Sequence, residues 1–439
     1  MISTARQVAV IGGGWAGCAA AVELAARGAR VALFESARTL GGRARRVDIE
    51  NLGLDNGQHI LIGAYTETLR VMRLAGVEVD AALLHLPLQM RYPRDSGCMD
   101  FVAARLPAPL HMLLALLRAS GLSRDDKLAL ARFSTTARWM GWRLHRDCSV
   151  SELLARFDQT ERLTKLMWRP LCIAALNTPP ERASAQVFLN VLRDSLGASR
   201  RASDMLLPRT DLSALFPRQA AAFVERHGGV VATGKAVRRI AKDGARWRLS
   251  FGARDDDDLF DAVVVATPPD RAAALLDGVI DVAGLKSFTH EPITTCYLQY
   301  ETSLRLPGPF FALLDEPARQ AWGQFVFDRG ALDVAHAGLL AVVVSASTEA
   351  IEAGHEAMSA AIAQQLAEAF RRPELARPLW TKVISEKRAT FSCVPDLARP
   401  SNATGVDGLF IAGDYTAGDY PATLEAAVRS GVTAGRLAA

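Results

Sequence analysis

Near its start the chain carries Gly12, Gly14 and Gly17 in the spacing G-x-G-x-x-G, and further on Glu35. This pattern handles phosphates. The first glycine makes a tight turn, the second lets the backbone approach a pyrophosphate, and the third lets a helix close on a strand. The N-terminus of the following helix offers unpaired N–H groups and its positive dipole end to the same phosphates. Trp15 and Ala16, inside the turn, count among the cofactor contacts. A carboxylate at Glu35 accepts from ribose hydroxyls and repels a 2′-phosphate, which disfavours NADP.

A strand–helix–strand unit must hold these residues. Gln7–Ile11 (Q-V-A-V-I) reads as the first strand, Cys18–Arg27 as an alanine-rich helix stopped by Gly28, and Arg30–Phe34 as the second strand, delivering Glu35. A glycine-rich turn that binds nothing is the alternative. The agreement of strand, helix, second strand and terminal acid favours a dinucleotide site over it. Gly41, Gly42 and Arg43 follow. The two glycines can bring a second backbone stretch to the same pyrophosphate. Arg43 adds a fixed charge with bidentate reach there, unless it is an ordinary solvated arginine. Later apolar strands are expected at Lys235–Ile240, Trp247–Phe251 and Ala262–Ala266. Near the C-terminus a strand through Leu409–Ala412 delivers Gly413 and Asp414, and Pro421 suits the first position of a helix running through Ala427 and Val428.

The N-terminal G-G-G-x-A-G, the G-G-R at 41–43 and the C-terminal G-D-Y-T with P-A-T-L-E-A-A together resemble the flavin amine oxidase and phytoene desaturase superfamily. That resemblance implies FAD. It assigns Glu35 to the adenosine ribose, Gly41, Gly42 and Arg43 to the pyrophosphate, and the backbone of Val237 to the adenine. Gly413 and Asp414 take the pyrophosphate or ribityl chain. Ala422, Thr423 and Leu424, at the start of the last helix, face the flavin pyrimidine ring. A helix N-terminus there stabilises the negative charge of reduced flavin and favours hydride chemistry.

Three segments of the middle narrow the resemblance: Asp55–Tyr65 (D-N-G-Q-H-I-L-I-G-A-Y), Trp168–Thr178 (W-R-P-L-C-I-A-A-L-N-T) and Leu206–Ser213 (L-L-P-R-T-D-L-S). With the chain length, they resemble the hydroxysqualene dehydroxylases of bacterial hopanoid synthesis, also described as squalene-associated FAD-dependent desaturases. The implied reaction is reductive removal of the hydroxyl of hydroxysqualene, giving squalene. Its carbon is allylic, so a protonated oxygen leaves as water and reduced flavin delivers hydride to the cation. His59, beside the Asp55–Gly57 loop, is the favoured acid, with Tyr420 and Glu425 as rivals. For His59 a structural hydrogen bond to backbone stands as the alternative, and for Glu425 hydrogen bonding at a helix start. Ionisation without a dedicated side chain is a third possibility. The alternative enzymes are a phytoene-type carotenoid desaturase, which runs the flavin in the opposite direction, and an amine oxidase. Many amine oxidases use a lysine on a substrate-domain strand, and the matching stretch Ile293–Tyr300 has none. Relatives of the fold that only bind prenylated partners lose flavin contacts, whereas Gly12–Gly17, Glu35, Arg43 and Asp414 occur together here. One G-x-G-x-x-G leaves no second nucleotide fold, so the electron donor is unidentified.

The whole chain agrees with an enzyme of this kind. Its 439 residues are half apolar and 22% charged, enough for two or three domains with real cores and too apolar for a disordered chain. Basic and acidic residues nearly balance, 51 against 47, which leaves no footprint for nucleic acid. Six isolated cysteines without C-x-x-C argue against a disulfide framework or zinc ribbon and fit a cytoplasmic location. No signal peptide and no membrane span are expected. Leu106–Leu117 (L-P-A-P-L-H-M-L-L-A-L-L), between Arg105 and Arg118, is either a buried core helix or a lipid-dipping helix giving peripheral contact on the inner membrane face. The acidic run Asp255–Asp258 reads as a solvated hairpin tip, so no metal is expected. His290 and Glu291 read as loop, and Trp139 and Trp142 as core. The expected fold is α/β. A Rossmann-like, discontinuous FAD-binding domain covers 1–85, 205–280 and 395–439, and an α+β substrate-binding domain covers 86–204 and 281–394, with the flavin between them.

Overall fold

The computed structural model describes residues 5–49, 52–94, 98–252 and 255–439, with backbone alone for 255–258. Val8–Ile11 and Ala262–Val265 are apolar and buried on both faces, the pattern of central strands in a parallel sheet. They pair with each other in parallel register, Val8 with Ala262 through Ile11 with Val265. The sheet runs in the order Val230–Thr233, Arg30–Glu35, Gln7–Ile11, Ala262–Val265 and Leu409–Ile411, all parallel. The chain is thus α/β with a Rossmann-like sheet assembled from distant stretches of sequence.

The first crossover helix spans Trp15–Ala26. It starts three residues before the expected Cys18 because Gly14 is already its N-cap and the Gly14 carbonyl accepts from the Cys18 amide. The last helix, Leu424–Ala438, lies along it. Small residues allow the approach: a Cβ on Gly431 would stand 2.1 Å from the Ala16 carbonyl oxygen, and one on Gly435 would stand 3.0 Å from that of Ala20. This helix begins at Leu424 rather than Pro421, because the Thr423 hydroxyl caps it by accepting from the Ala426 amide.

A second, antiparallel sheet has the order Phe310–Ala312, Phe325–Asp328, Leu339–Ser345, His290–Gln299 and Trp380–Phe391. One of its faces buries Cys296, Leu298, Val342 and Val344 under the helix His355–Phe370. The other face carries Tyr297, Ala341, Val343, Phe325 and Phe327, which join a core shared with the parallel sheet and with the helices between Leu110 and Leu192. That shared core is the apolar ground between the two sheets.

Several expectations change. Lys235–Arg238 is an irregular connection, and the strand runs over Arg239–Asp243. The Lys235 amide is turned instead onto the Glu35 carbonyl. The acidic run is strand backbone, Asp255–Phe260, rather than a hairpin tip, because Asp255 pairs with Ser250; its side chains lie outside the described residues. His290 and Glu291 open the long strand His290–Gln299 instead of forming a loop. Trp139 ends the helix Arg124–Trp139 and is 87% exposed, not core, since the face it occupies has nothing packed on it. The apolar run forms a helix only over Leu110–Arg118. That helix is amphipathic, not buried all round: His111 and Ala115 face inward, while Leu106, before the helix, and Leu110, Leu113 and Leu117 are exposed. Among the described residues no helix is long and apolar enough to cross a membrane.

Candidate functional site

The site begins where two glycine stretches touch. Gly12 has φ +107°, and a Cβ there would meet the Ala266 carbonyl oxygen at 2.6 Å. A Cβ on Gly17 would stand 1.8 Å from the Gly12 carbonyl oxygen, so helix and strand close only over glycine. Gly14 differs. A Cβ there meets nothing nearer than the Gly42 Cα at 3.8 Å, so the protein leaves open ground above it. Gly41 donates its amide to the Gly13 carbonyl at 2.8 Å and bridges Gly14 in parallel. Two backbone stretches and the N-terminal amides of Trp15 and Ala16 therefore border one gap. The Trp15 ring itself is core: it packs on Phe216 and donates to the Ala44 carbonyl.

Glu35 ends its strand beside this gap. Its carboxylate accepts from the Gly13 amide at 2.7 Å and from the Ala37 amide at 2.7 Å. Val237 is half-buried on the connection that passes Glu35. Arg43 spans to the other motif: its guanidinium donates to Asp414 Oδ1 at 2.7 Å and to the Ala389 carbonyl at 2.6 Å. Asp414 is held by its neighbours. The Gly413 amide donates to Ser430 Oγ, Thr416 Oγ1 reaches the same oxygen at 2.7 Å, and Asn402 bonds both Ser430 and the Ile411 carbonyl. Arg399, which the sequence reading missed, clamps the loop by donating to the carbonyls of Asp414, Tyr415, Gly418 and Tyr420. Tyr415 is 1% exposed and its hydroxyl makes no hydrogen bond. An open cradle at Gly14, amides around it and an unpaired buried hydroxyl beside Arg43 and Asp414 fit a dinucleotide cofactor.

The loop after Leu52–Asp55 forms the next wall. Gly57 takes φ +102°, which glycine tolerates. A network fixes this loop to the antiparallel sheet. Tyr297 donates to the Asp55 carbonyl at 2.8 Å, Gln58 donates to the Tyr297 oxygen at 2.8 Å, and Arg329 donates to Gln58 at 2.9 Å. Burial pushes the Asp55 carboxyl up to about 6, against the Leu212 amide and the Arg329 guanidinium, which favour its charge. Asn56 donates to the Arg43 carbonyl and to Glu386. Glu386 lies on the strand Trp380–Phe391 opposite Ile293, and Lys382 lies opposite Tyr297 on the same face of the sheet. Neither carried a local motif, so the sequence reading passed over both.

The three acid candidates separate. Glu425 is fully buried and accepts from the Glu67 amide, the Thr68 amide and hydroxyl, and Arg429. It caps the helix Thr66–Leu74, so the helix start it serves is not its own. Tyr420 donates its hydroxyl proton to Asp194 at 2.6 Å. His59 Nδ1 lies 3.3 Å from the Gly57 carbonyl, and burial, helped by Arg43, lowers its basicity. His290 lines a cavity of ≈ 560 Å³ with Asp270, Phe288 and Arg388, in the field of Arg43 and Asp414.

Residues 15–438 match the family described as flavin containing amine oxidoreductase. The chain is similar to the hydroxysqualene dehydroxylase of Sinorhizobium fredii, 29% identical over 99% of this chain and 98% of that one. The hydroxysqualene dehydroxylase of Rhodopseudomonas palustris is also 29% identical, over 97% and 96%. The zeta-carotene desaturase of Synechocystis is 24% identical over 97% and 95%. Among solved structures, the cyclohexylamine oxidase of Brevibacterium oxydans superposes with a TM-score of 0.66 at 18% identity, over 99% of each chain, a likeness of fold.

Proposed function

The chain belongs to the flavin-containing amine oxidoreductase family and is an FAD-dependent oxidoreductase; from that premise we propose that it removes the hydroxyl of hydroxysqualene reductively, giving squalene. The observation that carries the substrate class is the face of the antiparallel sheet turned to the shared core. Its residues Ile293, Val343, Ile384, Phe325 and Phe327 suit an isoprenoid chain, and Glu386 and Lys382 are charged side chains on the same face. Full-length similarity to two hydroxysqualene dehydroxylases supports the particular alcohol.

In this reading Gly12, Gly14, Trp15, Ala16, Gly17, Gly41, Gly42 and Arg43 hold the pyrophosphate. Glu35 and Val237 hold the adenosine end. Gly413 and Asp414 hold the ribityl chain, and Ala422, Thr423 and Leu424 present the last helix to the flavin ring. Reduced FAD, when bound, supplies hydride. The substrate alcohol takes up one proton and one hydride and leaves as hydrocarbon and water. The protein's part is to exclude water and deliver that proton. Of the three candidates, His59 keeps a ring nitrogen unclaimed, since Glu425 is saturated and the Tyr420 proton is engaged. With Nδ1 donating to Gly57, His59 is an acid only as imidazolium, because the neutral form leaves Nε2 as an acceptor. Proton delivery should therefore fade as pH rises through a value below that of an ordinary histidine. The reductant is a separate donor. The leucine ridge Leu106, Leu110, Leu113 and Leu117, between Arg105 and Arg118, rests on an anionic membrane face from which the lipid enters.

An anaerobic single turnover tests the reading. The reduced holoenzyme mixed with hydroxysqualene should reoxidise with stoichiometric squalene. Flavin that stays reduced in the folded protein would remove this substrate. His59→Phe should slow the step about 10²-fold or more with FAD still bound. The similarity to zeta-carotene desaturase favours a second reading, in which the oxidised enzyme desaturates a carotenoid precursor. Reduction of oxidised enzyme by such a polyene would select it.

A further inference from the structure

The helix Arg124–Trp139 has a face that the fold does not use. Ser123 starts the helix with a capping box: its hydroxyl accepts from the Asp126 amide, and the Asp126 carboxylate accepts from the Ser123 amide. Ala129, Leu130, Phe133 and Ala137 recur at helical spacing and are buried. On the opposite side Leu128, Arg132, Thr135 and Trp139 stand four, three and four residues apart, and all are exposed. Leu128 is 61% exposed, and Trp139 is the most exposed large apolar side chain among the described residues. An indole left in water forgoes its burial energy, and only a partner outside the chain restores it.

Charge separates this region from the rest of the molecule. Between Arg105 and Arg146 stand eight basic residues and two acidic ones, so this stretch carries +6 while the whole chain carries only +4. One of the two acids, Asp126, is buried and accepts from Thr160 and from Ser123. Arg124, Arg132, Arg138, Arg143 and Arg146 are all exposed, and among the described residues none of their side chains makes a hydrogen bond or an ion pair. Elsewhere exposed arginines close on acids, as Arg388 does on Asp270 and Arg372 on Glu374. Lys127, beside Leu128, donates to the Leu117 carbonyl at 2.9 Å. The basic, tryptophan-bearing face therefore adjoins the end of the leucine ridge.

We infer that this face is a second membrane footing, one that reads anionic headgroups: Trp139 sits in the interface and the arginines around it close on lipid phosphates. This rests on the membrane contact proposed above for the ridge, and it adds the headgroup class and a separate point of support. Leu128 and the indole enter the acyl boundary, while the arginine stems lie along it with their guanidinium groups at the phosphates. A nucleic acid would take up the arginines but give Leu128 and Trp139 no apolar ground; an anionic bilayer satisfies both. Trp139 lies eleven residues, about 16 Å, along the helix from Leu128, so contact at both ends limits rocking about the ridge.

The test is sedimentation of the FAD-loaded protein with vesicles of phosphatidylglycerol or of phosphatidylcholine at low salt. Wild type should prefer phosphatidylglycerol. Arg132→Gln, Arg138→Gln, Arg143→Gln and Arg146→Gln together should cut that binding about 10²-fold or more. FAD content should not change, since none of these side chains is bonded within the protein. Trp139→Phe should remove part of the quenching of tryptophan emission by brominated phosphatidylglycerol. Binding that survives the four glutamines but falls when the ridge leucines are replaced overturns this footing and leaves the ridge contact standing. Quenching unchanged in Trp139→Phe also overturns it, because Trp139 then stays in water. A wild-type protein that sediments with neither vesicle removes the ridge contact and this footing together. A wild-type dimer in vesicle-free solution that turns monomeric on Trp139→Ala gives the face to a second copy of the chain, and overturns the inference as well.

Discussion

Asp55 ends the strand Leu52–Asp55, and burial pushes its carboxyl up to about 6 from 3.8. Below pH 4 it is protonated both folded and unfolded. Between pH 4 and 6 the unfolded chain releases the proton while the folded chain keeps it, so stability falls as pH rises, by about 3 kcal/mol in all. Asp55→Asn should flatten that descent in denaturant titrations between pH 4 and pH 7. An unchanged slope would place the proton elsewhere. Gly14 gives a second prediction. Its absent side chain meets only the Gly42 Cα at 3.8 Å, so Gly14→Val should fold but purify colourless, with FAD affinity down at least about 100-fold. A folded, fully yellow Gly14→Val protein would refute the cradle. At this scale the sequence was informative where chemistry is local. The glycine spacing and Glu35 are one turn and one strand end. Tyr415, Glu386 and Arg399 were invisible, because their significance lies in a missing or a distant partner.

Glu23 joins three helices. It sits on Trp15–Ala26 and accepts from Arg27, from Arg70 of Thr66–Leu74 and from Arg436 of Leu424–Ala438. Burial would raise its carboxyl, but the hydrogen bonds from Arg70, Arg436 and Arg27 hold it at about 2. Its stabilisation is therefore full above pH 4.5 and is lost as pH falls toward 2. Glu23→Gln should cost roughly 1–3 kcal/mol at neutral pH, allowing for solvent around the arginines, and little near pH 2.5. Equal losses at both pH values would point to packing instead. Helix identity was legible from periodicity, while helix starts were not. Cys18 and Pro421 misplaced two N-termini, because the caps are Gly14, through its backbone carbonyl, and Thr423, through its hydroxyl. The register between the first and last helices was equally hidden. Gly431 packs at Ala16, so Leu424 stands six residues, about 9 Å, beyond Trp15 at the start of the first helix. The N-terminus of the last helix therefore reaches past the start of the first.

The molecule as a whole presents Leu110, Leu113 and Leu117 at 51%, 52% and 64% exposure, with exposed Arg105 and Arg118 at the ends of the ridge. For the proposed lipid contact, replacing these three leucines by serine should cut sedimentation with phosphatidylglycerol vesicles about tenfold or more. Raised salt should weaken the wild type through its arginines. Binding that ignores both changes would sink the membrane reading and leave the ridge for another copy of the chain. Nothing in the run L-P-A-P-L-H-M-L-L-A-L-L chose between burial and exposure, since an all-apolar segment is compatible with either.

The sequence alone determined the nucleotide-binding unit and the α/β class, because the turn and the strand and helix that carry them are neighbours along the chain, and the FAD expectation came from the resemblance of motifs at its two ends. Tertiary structure alone decided the rest. It brought Arg43 to Asp414 and set Glu425 on a foreign helix. It left one face of Leu110–Arg118 bare. Those outcomes depend on which surfaces meet when two sheets built from discontinuous segments enclose a shared core, and no local pattern encodes that meeting.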